Sequence, residues 1–186
     1  MPKREIPACE ALYPVPVVLV SCHDVTTQKN NIITIAWCGV AASKPPTLSI
    51  SVRPSRHSHA IIRASGDFVI NIPTIAILKE ADLCGVTSGK DTDKFKACNF
   101  HPQRASKVSS CLIQECPVNI ECVLKDTVSL GSHDMFLGRV VAVHVDEGLL
   151  DKDENIDYGK ARPVVYNQGQ YWDLGKAVGY YGFSKK

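Results

Sequence analysis

A guanidinium, hydroxyls and a helix start fall together in Ser51-Val52-Arg53-Pro54-Ser55-Arg56-His57-Ser58, and residues of those types can hold an anion. A phosphate needs positive charge and several donors, and the N–H groups of a first helical turn supply donors with a favourable dipole. Arginine adds a planar fork matching phosphate oxygens, and serine adds a neutral donor without crowding. Arg53 and Ser51 approach from the preceding strand, while Arg56, His57 and Ser58 occupy the first turn. The competing explanation is an ordinary solvated strand-to-helix connection, because charges mostly face water.

Just upstream, Asn31-x-x-Thr34-Ile35-Ala36-Trp37-Cys38 mixes small residues with one large aromatic. A flat ring could lie along such a strand and receive N–H donors at its heteroatoms. Trp37 as a plain core residue is the alternative. Other chemistries lack their residues. Gly85-Val-Thr-Ser-Gly89-Lys90-Asp91 resembles a nucleotide loop, but it is one residue short between its glycines and has Asp where Ser or Thr should meet magnesium. No G-x-G-x-x-G follows a strand, and no G-x-S-x-G elbow is present. The eight cysteines contain no C-x-x-C pair, so buried thiols in a reducing cell explain them better than a metal or a disulfide framework. The six histidines are scattered; no metal site and no catalytic side chain are assigned.

The elements that must position these residues are mostly strands. Val15 to Cys22 is a nearly unbroken apolar run; a polar loop, Asp24 to Asn31, leads to a second strand, Ile32 to Val40. Pro45-Pro46 sets an extended entry into Thr47 to Arg53, where Ser49, Ser51 and Arg53 share one face. Pro54 stops that strand, Ser55 is placed to cap a helix through Ala64, Gly66 ends it, and Phe68 to Ile72 returns as a strand. Thr74 to Cys84 is a second helical candidate and Lys94 to Cys98 a further turn; His101 to Ser110 reads as irregular. Val118 to Asp126, Leu137 to Val145 and Pro163 to Tyr166 complete a set of about six strands. Hairpins with longer crossovers favour an antiparallel Greek-key barrel. The last stretch, 167–186, holds Tyr171, Trp172, Tyr180, Tyr181 and Phe183 among glycines. It is an aromatic arm for a partner subunit or for its own barrel.

At 186 residues with a formal net charge of +2, a single domain over 1–186 is the default, and no basic footprint for nucleic acid is visible. Charges and prolines in residues 1–12 do not make a secretory signal, and no apolar run spans a membrane. A soluble, cytoplasmic protein is expected.

The succession Pro14-Val-Pro16-Val-Val-Leu-Val-Ser21, Asn31-x-x-Thr34-Ile-Ala-Trp37, Pro45-Pro46-x-Leu-Ser-Ile-Ser51-Val-Arg53 and His57-Ser58 closely resembles the flavin reductase-like, FMN-binding split-barrel proteins, among them flavoredoxin and related anaerobe and archaeal FMN proteins. Phe68-Val-Ile-Asn71, Asp91-x-Asp93-Lys94-Phe95 and His133-x-x-Phe-Leu-Gly138-x-Val140-Val141 are similar to later blocks of that family, so the resemblance spans roughly residues 14 to 167. It implies a mainly β, six-stranded antiparallel Greek-key split barrel, a homodimer, and non-covalent FMN near the subunit interface. Asn31, Thr34, Ile35, Ala36, Trp37 and Cys38 would follow the ring and ribityl chain. Ser51, Val52, Arg53, His57 and Ser58 would surround the ring edge and phosphate, Lys90, Lys94 and Phe95 would close the pocket, and His133 is carried over on the last block. Where the family often has a glycine before the Asn-bearing strand, Gln28-Lys29-Asn30 stand here, leaving Asn30 to take a left-handed turn.

The resemblance implies an oxidoreductase that moves electrons from NADH or NADPH through FMN, with the protein positioning the donor and stabilising negative charge on the ring. A flavin-holding electron carrier fed by a redox protein, or a barrel binding haem or another small ligand, would use the same fold.

Overall fold

In the computed structural model, which describes residues 1–185, the chain is mainly β. In order the strands are Val15–Pro16 (β1), Val18–Asp24 (β2), Lys29–Ile35 (β3), Cys38–Ser43 (β4), Pro46–Val52 (β5), Asp67–Ile72 (β6), Pro102–Gln103 (β7), Leu112–Ile113 (β8), Val118–Ser129 (β9), Asp134–Val145 (β10), Val165–Asn167 (β11) and Gln170–Trp172 (β12). The helices are short: His57–Ser65 (α1), Leu78–Val86 (α2), Lys94–Ala97 (α3) and Tyr158–Ala161 (α4).

Seven strands form one antiparallel sheet in the order β3-β2-β6-β9-β10-β5-β4. β3 and β4 are its outermost strands, yet only Ala36 and Trp37 separate them. The three Cα steps from Ile35 to Cys38 reach at most about 11 Å. The sheet must therefore curl until its edges nearly meet, which makes it a barrel with a gap. Here the structure corrects the sequence reading: the second strand does not run unbroken to Val40, and seven strands replace the six expected. The chain turns at Ala36–Trp37 because the Cys38 N–H folds back onto the Ala36 carbonyl (3.1 Å) while the Trp37 carbonyl accepts from the Ser51 N–H (2.8 Å).

Two apolar layers explain the pattern of β2 and β3. Val18, Val20 and Cys22 with Ile33 and Ile35 face the barrel interior, joined by Ile50, Phe68 and Phe136. Leu19 and Ile32 face outward against Ala81 and Cys84 of α2 and Phe95 of α3. Both faces are covered, hence the apolar run through Cys22, broken only at Ser21. Between the layers, buried Asn71 of β6 donates to the Leu19 carbonyl and Ser21 Oγ (3.0 Å each) and accepts from the Ile113 N–H (3.0 Å). That fastens β8, part of a short β7–β8 ladder in a region the sequence led us to expect as irregular up to Ser110.

Three local expectations change. Arg56, not Ser55, is the N-cap of α1, and no side chain caps it. The second helical candidate is split into a 3-10 turn, Ile75–Ile77, whose Ala76 N–H donates to Thr74 Oγ1, and then α2. The left-handed residue before β3 is Gln28 (φ 57°), not Asn30, which is already extended within the strand. The aromatic arm is divided: β12 pairs with β11 and β11 with β1 in a three-stranded sheet of the same chain, whereas Tyr180, Tyr181 and Phe183 beyond them are exposed. Among the described residues no helix is long and apolar enough to cross a membrane.

Candidate functional site

The gap beside β3 gathers most of the residues singled out above. Since β3 pairs with β2 alone, its outer edge carries backbone groups without a strand partner. Lys94 fixes their phase: Nζ donates to the Ile32 carbonyl (2.8 Å) and to the Cys84 carbonyl (2.7 Å). In an antiparallel strand the N–H and C=O of one residue point to the same side and alternate along the chain. With Ile32 aimed at the open edge, the Thr34 amide is aimed there too. Thr34 Oγ1 already donates to the Ala81 carbonyl, and α2 sits so near that a Cβ on Gly85 would lie 3.2 Å from the Thr34 Cβ. The backbone N–H is thus the donor Thr34 has left for a ligand.

A cleft of about 330 Å³ occupies this gap. Thr34, Ile35, Ala36 and Trp37 wall it together with Ser51, Val52 and Arg53, and His133 and Arg56 complete its polar lining. Farther along β3 a second cleft of about 930 Å³ is walled by Asn31, His57, Lys90 and Phe95. Asn31 Nδ2 donates to Ser58 Oγ (2.8 Å), so both side chains are buried at the join between β3 and the start of α1. Both clefts therefore meet the uncapped end of α1, the first through Arg56 and the second through His57.

Charge is unevenly shared between them. The second cleft balances Lys29, Lys90 and Lys96 against Asp24, Asp91 and Asp93, and Lys96 pairs with Asp93 at 3.3 Å. The first has Arg53 and Arg56 and no carboxylate in its walls. Burial, and then the Arg53 charge, hold the His133 imidazole below its ordinary pKa, so it stands neutral beside the arginine at neutral pH.

Three residues fall elsewhere. Cys38 lies on an adjoining cleft of about 320 Å³, which shares Ala36, Trp37 and Ser51 with the first and adds Tyr13 and Leu12; burial there pushes its thiol up to about 12. Ser58 is turned inward to Asn31. Lys94 walls neither cleft; its ammonium is buried between β3 and α2, which lowers its pKa, and it holds two elements together instead of closing a pocket.

The sequence reading missed Tyr166, Tyr171, Gly85 and Val86 as walls of the first cleft. Tyr166 packs 6.2 Å from Trp37 and 6.1 Å from Tyr171, centroid to centroid. Tyr171 Oη donates to Asp82 Oδ1 (2.8 Å); burial and that carboxylate push the phenol up to about 12. The aromatic content of the tail was the visible signal. Nothing local marked the end of α2.

The arrangement suits a flat ligand with an anionic group: aromatic walls, a strand amide at the edge, two arginines and an uncapped helix start in a space of ligand size. Among the described residues no three His, Cys, Asp or Glu side chains are grouped to hold a metal. Residues 11–175 match the profile of the "Flavin reductase like domain". An uncharacterised protein of Archaeoglobus fulgidus is 30% identical over 149 residues, spanning 80% of this chain and 82% of that one. Among solved structures, the flavoredoxin of Desulfovibrio vulgaris (Miyazaki F) superposes with a TM-score of 0.93 at 30% identity, covering 99% of this chain and 100% of the other. The flavoredoxin from Methanosarcina acetivorans shares the fold, with a TM-score of 0.88 at 24% identity over 99% of this chain and 98% of its own.

Proposed function

Because the chain belongs to the flavin reductase-like domain family, we propose that the two clefts hold FMN without a covalent bond and that the protein is an NAD(P)H-dependent flavin oxidoreductase. One observation carries this: the open β3 edge at Thr34 and the arginines at the uncapped start of α1 border the same 330 Å³ space. The Thr34 amide, Trp37 and Tyr166 would hold the ring. Arg53, Arg56 and the first amides of α1 would hold the phosphate, with Asn31, His57 and Lys90 along the adjoining wall.

When bound, FMN supplies a two-electron acceptor for hydride from NADH or NADPH. The chain's own part is to bind, orient and shield. Arg53 offers positive charge to whatever negative charge develops. His133, held neutral, offers a hydrogen bond without adding a further cation to the two arginines. Trp37 and Tyr166 exclude water from the walls they cover, which strengthens each of those polar contacts.

A second reading is a flavin-holding electron carrier served by a redox protein, and the likeness to a flavoredoxin favours it. Homodimer formation fits either: β4 is exposed along most of its length, with Val40 at 79%. Visible spectra of the purified protein titrated with FMN, followed by anaerobic stopped-flow mixing with NADH and NADPH, decide the matter. Rapid bleaching supports the oxidoreductase. Bleaching only by a reduced redox protein selects the carrier, and no flavin binding at all defeats both.

A further inference from the structure

Two thiols behind the clefts lie in contact. Cys84, near the end of α2, and Cys98, the C-cap of α3, bring their Sγ atoms to 3.6 Å. A disulfide has its sulfurs about 2.0 Å apart, so closure needs a shift of about 1.6 Å shared between two side chains. Each helix is separately fastened near its sulfur, α2 through the Thr34 bond to Ala81 and α3 through Lys94 to the carbonyls of Ile32 and Cys84 itself. The pair is therefore held in register by contacts that do not involve the sulfurs. Between the two cysteines runs the segment that serves both clefts: Gly85 and Val86 wall the first, and Gly89, Lys90 and Phe95 wall the second.

We propose that Cys84 and Cys98 form a reversible disulfide that clasps residues 85–97 and thereby sets ligand affinity in the two clefts. The oxidant is a small disulfide of the oxidised glutathione class. Cys98, 7% exposed against 0% for Cys84, is the sulfur such a reagent meets. Its thiolate attacks one sulfur of the reagent, the reagent's S–S bond breaks, a mixed disulfide forms at Cys98 and the first thiol leaves. Cys84 then attacks the Cys98 sulfur, the Cys84–Cys98 bond forms and the second thiol leaves. The two cysteines lose two electrons and two protons, and the reagent gains them as two thiols. Burial raises both cysteine pKa values, so exchange is slow and proceeds through loosening of the α2–α3 segment.

The effect on affinity rests on the proposed FMN site; the disulfide does not. Full-length protein is incubated with oxidised glutathione or with dithiothreitol, denatured with an alkylating agent present, digested and mapped by mass spectrometry. A peptide linking Cys84 to Cys98, reversed by dithiothreitol and absent in C98S, is expected. Absence of that peptide from oxidised wild-type protein overturns the site, whatever the variant does. FMN is then titrated into both forms. The clasped form, with its loop ordered beforehand, is expected to bind at least about fivefold more tightly, and C98S to keep the reduced-form affinity under both conditions. Equal affinities in oxidised and reduced wild-type protein overturn the coupling. Failure of FMN to bind either form instead overturns the proposed function and leaves the disulfide standing.

Discussion

Asn31 occupies the space that a side chain on Gly89 would need: a Cβ there would overlap Asn31 Oδ1 and lie 2.7 Å from its Cγ. The loop after α2 is thus seated directly on β3, and the Asn31 amide in turn reaches Ser58 of α1 at 2.8 Å. One contact joins the loop, strand and helix that surround the second cleft.

Gly89→Ala should push the Asn31 amide off Ser58 Oγ and lift the loop. A stability loss of about 1–3 kcal/mol is expected from overpacking and the lost buried hydrogen bond. Urea unfolding reads it, and FMN titration should show weaker binding in the same variant. Unchanged values in both would mean that the loop relaxes freely.

Arg53→Ala tests the phosphate contact. A hydrogen bond to a charged group contributes about 1.5–3 kcal/mol, so the FMN dissociation constant should rise by about ten- to a hundredfold. Arg53→Lys should restore only part of that, because an ammonium lacks the planar fork. An Arg53→Ala variant that binds FMN as wild type does would remove this residue from the site.

Lys94 is expected to behave as a structural cation. Lys94→Ala leaves the Ile32 and Cys84 carbonyls without their donor and should cost about 2–4 kcal/mol in urea unfolding. Lys94→Met, which keeps the aliphatic stem, should cost less. FMN affinity in the surviving folded protein should change far less than in Arg53→Ala; a comparable loss would put the ammonium in the ligand's reach.

Acid should weaken the fold through Glu121. Burial works against its charge, but the N–H groups of Ser106 and Lys107, the Ser106 hydroxyl and His144 Nε2 (2.5 Å) outweigh it and hold the folded pKa below the ordinary 4.5. The unfolded chain therefore takes up the proton first as pH falls. The stabilisation is complete above the ordinary carboxylate range and is lost as pH falls through the folded pKa. Asp134, lowered by its bond from His59 at 2.8 Å, acts in the same direction. Urea midpoints measured between neutral pH and pH about 3 should fall steeply in wild type and less steeply in Glu121→Gln. Parallel curves would exclude Glu121 as a source of the acid sensitivity.

The parts of this fold that were legible are those where local chemistry and tertiary demand agree. β5 alternates because Ile50 and Val52 are buried while its other face meets a cleft, and α1 ends at Gly66 because that residue is left-handed (φ 73°). The break at Ala36–Trp37 carried no Gly or Pro to announce it; it exists because two edges of a curled sheet must be joined, a long-range requirement. The place of Lys94 was hidden for the opposite reason. A lysine beside charged neighbours reads as a surface cation or a ligand contact, and only the approach of α2 to β3 reveals two carbonyls waiting for it. Tyr166 and Tyr171 reached the first cleft through pairing of β11 and β12 around Gln168-Gly169, where both residues have positive φ (44° and 85°). The glycine hinted at that turn, while its destination depended on β1.

The two-residue bridge between β3 and β4 has a mechanical meaning. A curled sheet that stops short of closing has one seam, and in this chain the 330 Å³ cleft opens along the β3 side of it, opposite Ser51 to Arg53. Whatever lodges there becomes a keystone, supplying to Thr34 the backbone partner that a missing neighbour strand would have given. Occupancy and rigidity then rise together: the empty barrel should gape first along this line, with the Thr34 amide among the fastest of β3 to trade its hydrogen with solvent.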